Sequence, residues 1–203
     1  MHNIGICGAG LIGASWAVSF ASQGFKVLVY DSNTEIIRNF FEVIKTLAED
    51  LEIIKKIDFV ELKSNIKICD KIEDICRDSI LIQESIVESL EEKQKIFLQL
   101  EKHSLSETIL ASSSSYLLPS KISEKLKIKE RCIVAHPALP PHIVPFVEIC
   151  PSLDTSSNVI ERAKDIYKKA EYVPIVLKKE IEGFVLNRLQ GALLNEAVRL
   201  HEE

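Results

Sequence analysis

The chain has 203 residues, 46% hydrophobic and 27% charged, enough for one substantial globular core and part of a second unit. A net charge of −5 without a long basic run argues against a nucleic-acid partner. No segment has the ~18 uninterrupted apolar residues of a membrane span, and a strand starting about two residues after Met1 leaves no room for a signal or transit peptide, so a cytoplasmic protein is expected.

Ile4-Gly5-Ile6-Cys7 reads as a short apolar strand. It runs into Gly8-Ala9-Gly10-Leu11-Ile12-Gly13, a Gly-x-Gly-x-x-Gly loop, and then into a helical pattern carried by Ala14, Trp16, Ala17, Phe20 and Ala21. Gly8 suits a tight turn, Gly10 lets a pyrophosphate approach the backbone, and Gly13 lets helix and strand pack closely. The helix start around Leu11 and Ile12 offers free N–H groups to phosphate. A second apolar run, Val27–Tyr30, ends in Asp31, a side chain able to accept from both ribose hydroxyls of an adenosine. Ser32 and Asn33 follow, with no adjacent arginine, which favours NAD over NADP.

Ser32 or Asn33 can cap a helix through Phe40, Phe41, Ile44 and Leu47. Leu51–Lys63 is charged and reads as more helix. Strands are expected at Ile66–Cys69 and from Ser79 to near Glu84, and Leu90–Lys102 has helical spacing with a charged outer face. Ile109-Leu110-Ala111 is a buried strand feeding four serines, Ser112 to Ser115, and Pro119 suits the first turn of a helix through Leu126. Cys132–Ala135 is the next strand and leads into His136. Pro137, Pro140, Pro141 and Pro145 forbid regular structure until Phe146–Ile149. A helix over Val159–Ala170, a strand over Val173–Leu177 and an amphipathic helix over Phe184–Leu200 complete the chain. The alternation predicts an α/β fold with a doubly wound, mostly parallel Rossmann-type sheet. The five cysteines lack any Cys-x-x-Cys pair and read as reduced, mostly buried thiols, and no metal site is expected.

Oxidation of an alcohol by a nicotinamide cofactor needs a base for the hydroxyl proton, and histidine suits that task. His136 stands at a strand end, where ligands gather in open α/β sheets. Glu148, on the next strand, could fix its tautomer. Spacing alone is equally compatible with a loop histidine and a surface glutamate. His2, His103, His142 and His201 have no such context and are expected in solvent.

The segments GICGAGLIGASWA, IQESIVESLEEKQKIF, SSSSYLLPSK, AHPALPPHIVPFVEI and EIEGFVLNRLQGALLNEAVRL span nearly the whole chain. Together they resemble the 3-hydroxyacyl-CoA dehydrogenase superfamily. The serine run followed by LLPS points to its lambda-crystallin (L-gulonate 3-dehydrogenase) branch. The resemblance implies that His136 is the catalytic base and Glu148 its partner. It implies that Ser115 hydrogen-bonds substrate and nicotinamide, that Asn187 orients substrate, and that Glu88 and Lys93 lie near the nicotinamide-side ribose and carboxamide. By residues alone, Glu88 and Lys93 read as a charge pair on an outer helix face. The implied function is NAD-dependent oxidation of the 3-hydroxyl of a small hydroxy acid, L-gulonate first. The alternatives are 3-hydroxyacyl-CoA oxidation and a catalytically silent, crystallin-like NAD-binding protein.

Two departures stand out. Leu139 occupies the asparagine position of the family's His-Pro-x-Asn-Pro motif. The family also has a helical C-terminal domain that dimerises and closes over the substrate, of which only the first helix is present. The expected organisation is therefore a NAD-binding domain over 1–180 and the opening of a helical domain over 181–203. A homodimer is expected for the full-length form.

Overall fold

The structure, a computed structural model, describes residues 3–203, so His2 lies outside the described residues. In chain order the elements are β1 (Asn3–Cys7), α1 (Leu11–Ser22), β2 (Lys26–Tyr30), α2 (Thr34–Glu52), α3 (Phe59–Ser64), β3 (Ile66–Ile68), α4 (Ile72–Cys76), β4 (Ser79–Glu84), α5 (Leu90–His103), β5 (Ile109–Ser112), α6 (Pro119–Ile122), β6 (Cys132–Pro137), β7 (Phe146–Pro151), α7 (Ser157–Lys169), β8 (Val173–Val176) and α8 (Leu186–Glu202). One eight-stranded sheet runs β3-β2-β1-β4-β5-β6-β7-β8, parallel except where β7 turns back on β6. The chain leaves β1 toward β2 and β3, then returns to β4 on the other side. That reversal opens a crevice at the strand ends between β1 and β4.

Helices cover both faces, which is why the central strands read as apolar runs without alternation. One core cluster gathers Ile4, Ile6, Val27 and Val29 with Trp16, Phe20, Phe40 and Tyr167. The other gathers Ile82, Leu110 and Val134 with Phe97, Ile122 and Phe184. All five cysteines are buried and free. Burial holds their thiols protonated, with Cys76, Cys132 and Cys150 pushed up to about 12.

Local signals place most boundaries. Asn33 caps α2, its Oδ1 accepting from Glu35 N–H at 2.9 Å. The stretch after Leu51 is not one helix. The chain breaks after Glu52 and restarts at α3, where Asp58 Oδ1 accepts from Val60 N–H at 2.9 Å. α4 was not expected, being too short to show a periodicity. α6 stops at Ile122, short of Leu126, where the chain turns and the Ser123 hydroxyl bonds back to Pro119 O at 2.8 Å.

His142 departs from expectation. It is 7% exposed rather than in solvent, because its proline-rich loop folds back over α1 and the end of α2. Its nearest charged neighbour is Asp50, at 3.6 Å. Burial lowers its pKa against the pull of Asp50. His103 is also part-buried, 3.7 Å from Glu73, whereas His201 is exposed as expected.

Candidate active site

The crevice between β1 and β4 carries the glycine loop. Gly8 has φ +99°, and a Cβ there would lie 2.7 Å from the Ser85 carbonyl. A Cβ on Gly13 would lie 1.8 Å from Gly8 O, so close packing excludes any side chain. Gly10 is different, since nothing of the protein lies within 4 Å of where its Cβ would be. Its bare backbone opens onto a cleft of about 650 Å³ bounded by Asp31, Asn33, Ser85 and Ile96. Gly10 is also the N-cap of α1 and supplies no side-chain cap. The first-turn N–H groups, at Leu11 and Ile12, are therefore free for an anion. Asp31 is braced by the loop it serves: Oδ2 accepts from Ala9 N–H at 2.7 Å and Oδ1 from Asn33 N–H at 2.8 Å. Each oxygen keeps acceptor capacity for a ribose hydroxyl. This donor and acceptor set fits a dinucleotide.

Next to it, Glu88 and Lys93 are not an outer-face pair. Lys93 is 1% exposed, with its Nζ 2.7 Å from Glu84 Oε1 and 3.2 Å from Glu88 Oε2. Burial pushes the Glu84 carboxyl up, against the pull of Lys93 and the Ser112 hydroxyl. Glu88 Oε1 accepts from the Ser114 hydroxyl and from Ser115 N–H at 2.9 Å. Ser115 O in turn accepts from Asn187 Nδ2 at 2.7 Å. The serine run thus links Glu88, just before α5, to Asn187 on α8. Glu84 was missed as a site residue. Its signal was an acid closing the otherwise uncharged strand SILIQE, nine residues before a lysine.

His136 and Glu148 are direct cross-strand partners in the antiparallel β6–β7 register, on one face. Nδ1 lies 2.8 Å from Glu148 Oε2, and the two side chains are 6% and 1% exposed. The other carboxylate oxygen, Oε1, accepts from Val185 N–H and Leu186 N–H, both at 2.9 Å. Glu148 thereby caps the N-terminus of α8. Burial raises its carboxyl pKa, but the bonds from His136, Leu186 and Val185 outweigh that and hold it below the usual carboxylate range. Phe184, with φ +48°, is fully buried with its ring centroid 5.5 Å from the imidazole. It was expected in the apolar stripe of the last helix and instead walls the dyad, because α8 starts only at Leu186. Leu139 is 66% exposed beyond His136.

Comparison with known proteins is consistent across the chain. Residues 3–181 match the family 3-hydroxyacyl-CoA dehydrogenase, NAD binding domain. The lambda-crystallin homolog of Rattus norvegicus is 43% identical over 98% of this chain and 63% of its own length. L-carnitine dehydrogenase of Oceanobacillus iheyensis is 32% identical over 98% of this chain and 65% of its own. A solved diketoreductase, described as acting on dicarbonyl compounds, superposes with a TM-score of 0.93 at 28% identity, over 98% of this chain and 72% of that one. The chain thus spans under two thirds of the length of the curated relatives. The cofactor of such a domain is NAD, as the cleft indicates. With its glycine loop, Rossmann sheet and matched length, the chain belongs to the 3-hydroxyacyl-CoA dehydrogenase family, as its NAD-binding domain.

Proposed function

We propose that the protein containing this chain is an NAD-dependent oxidoreductase that oxidises the 3-hydroxyl of a small hydroxy acid, with L-gulonate the first substrate to test. The observation that carries the reading is the buried 2.8 Å contact between His136 and Glu148. Glu148, kept ionised by His136 and the α8 N–H groups, accepts from Nδ1–H and leaves Nε2 as the basic nitrogen. His136 takes the substrate hydroxyl proton at Nε2, and the Glu148 carboxylate stabilises the imidazolium that results. Ser115 and Asn187 position the substrate, while Glu88 and Lys93 order the nicotinamide end. The glycine loop and Asp31 bind the adenosine half. NAD supplies the two-electron acceptor.

The resemblance to the lambda-crystallin branch puts L-gulonate first, and the relation to an L-carnitine dehydrogenase supports a small hydroxy acid with a free carboxylate, while a 3-hydroxyacyl-CoA dehydrogenase at 35% identity makes the CoA ester the rival. The test is NADH production with L-gulonate, L-carnitine and 3-hydroxybutyryl-CoA in parallel. Turnover of the CoA ester alone overturns the substrate class. NADH binding without turnover of any of them overturns the enzyme reading in favour of a silent NAD-binding protein.

The proposed organisation is a NAD-binding unit over 1–180, followed by the first helix of a helical unit from 181. α8 buries no residue, and Leu189, Leu193, Leu194, Val198 and Leu200 are all at least half exposed. Such a stripe supports packing on further chain and a homodimer in the longer protein. Sedimentation of the longer protein tests this, and a monomer there overturns it. Among the described residues no helix is long and apolar enough to cross a membrane.

A further inference from the structure

Behind the glycine loop, five side chains form a hydrogen-bonded chain whose direction follows donor by donor. Trp16 Nε1–H can only donate, and it lies 3.1 Å from Ser113 Oγ. Gln83 Nε2 lies 2.7 Å from the same oxygen and 3.4 Å from Ala135 O. That carbonyl can only accept, and Gln83 Oε1 lies 2.5 Å from the Tyr167 hydroxyl, so the amide is fixed with its NH₂ toward Ser113. Ser113 Oγ therefore receives two hydrogen bonds, which fills both lone pairs of a hydroxyl. Its own proton goes to Ser85 Oγ, 2.9 Å away. Ser85 accepts there, so its own proton must point elsewhere, and among the described residues its hydroxyl has no second partner. Trp16 and Gln83 are fully buried, so this polarity is set by the core.

Ser85 stands at the reversal of the sheet. Its N–H donates to Cys7 O at 2.7 Å, its carbonyl abuts Gly8, and it lines the cleft with Gly10 and Asp31. A committed O–H donor on that wall suits an acceptor oxygen, of which the phosphate–ribose section of a dinucleotide is full. We infer that Ser85 is a cofactor-contacting residue that donates its hydroxyl proton to a phosphate or ribose oxygen of NAD. Ser113 is its positioning residue, relaying the polarity set by Trp16 and Gln83. This rests on the cleft being the NAD site.

The test is NADH titration by fluorescence on this chain, with the Trp16 indole N–H resonance followed by NMR. Trp16 is the only tryptophan, so one signal reports the relay. Ser85→Ala should weaken NADH binding roughly 3–10-fold, the worth of one hydrogen bond, while lowering the thermal midpoint of the cofactor-free protein only slightly, through the acceptor lost to the Ser113 hydroxyl. NADH should move the indole resonance in the natural sequence and move it less than half as far in saturated Ser85→Ala. Affinity within twofold of the natural sequence, or a fall in the midpoint without a fall in affinity, overturns the inference while leaving the NAD site intact. Failure of the natural chain to bind NADH overturns both together.

Discussion

The NAD cleft between β1 and β4 is held by contacts among its own strand ends and loops, whereas the His136–Glu148 pair between β6 and β7 is gripped by the end of a helix that buries nothing. In the first region Asp31 is fixed by Ala9 and Asn33, Gly8 by contact with Ser85, and Gly13 by contact with Gly8. In the second, one oxygen of Glu148 serves the imidazole and the other serves α8. Cofactor binding should therefore be an autonomous property of the sheet. The geometry of the base, with the Asn187–Ser115 contact beside it, should move with α8. On the proposed function, the difference implies that binding and turnover should be separable.

The largest expected effect separates them outright. His136→Gln should lower kcat by roughly 10²–10⁴ while leaving NADH affinity nearly unchanged, measured in the longest form of the protein that turns over. A kcat near that of the natural sequence would remove the histidine from the mechanism. An equal loss of NADH affinity would show that the two regions are not independent.

Glu148 offers a sharper cut, because its two roles can be removed one at a time. Glu148→Ala strands the Val185 and Leu186 N–H groups along with His136, and should cost about 2–4 kcal/mol of stability by denaturant unfolding. Glu148→Gln keeps an acceptor oxygen for α8 but loses the charge. It should lose less stability than Glu148→Ala, only the part that depends on the charge, while losing roughly 10–10² in kcat, which equal destabilisation by Ala and Gln would contradict. The pH dependence has a definite sign. The folded carboxyl is held below the unfolded value of about 4.3, so its contribution is complete above that pH and is lost as pH falls through the lower folded value. Glu148→Gln should flatten that acid limb, and an unchanged limb would mean the acid loss arises elsewhere.

Cofactor choice tests the other region. Asp31 would face the 2′-phosphate of NADP with like charge, so NADH should bind at least tenfold tighter than NADPH, about 1.4 kcal/mol. Equal affinities in a fluorescence titration would mean that the bracing by Ala9 and Asn33 does not hold Asp31 toward the ribose.

The same contrast explains what could be read from the residues. The cofactor half is written in one contiguous motif plus one acid, because glycine geometry and a helix start are local. The core strands were legible for a similar reason, since burial on both faces leaves uninterrupted apolar runs. The dyad was ambiguous by spacing, because a cross-strand register depends on where an irregular, proline-rich loop lets β7 return. Lys93 looked like a surface charge because its partner, Glu84, comes from another element. His142 looked solvated because nothing local says that its loop folds back onto α2. The grip of Glu148 on α8 uses backbone N–H groups, which carry no residue identity at all.

The smallest expected effect lies at Leu139, just past the dyad. The family motif has asparagine there, and a hydrogen bond to a polar cofactor group is worth about 0.5–1.5 kcal/mol. The leucine is 66% exposed, so its side chain is not part of the core and replacing it should cost little stability. The neighbouring strand end is anchored independently, with Ala138 N–H donating to Phe146 O at 3.0 Å, so the loop backbone should survive the change. Any effect of Leu139→Asn should then come from what the new amide touches. If that is the nicotinamide end, NAD+ should bind or turn over several-fold better, and the gain should vanish in His136→Gln for turnover but persist for binding. Weaker binding and slower turnover together would mean the exposed leucine makes an apolar contact with cofactor or substrate in the closed site. The boundary between the two regions would then run through Leu139 rather than beside it.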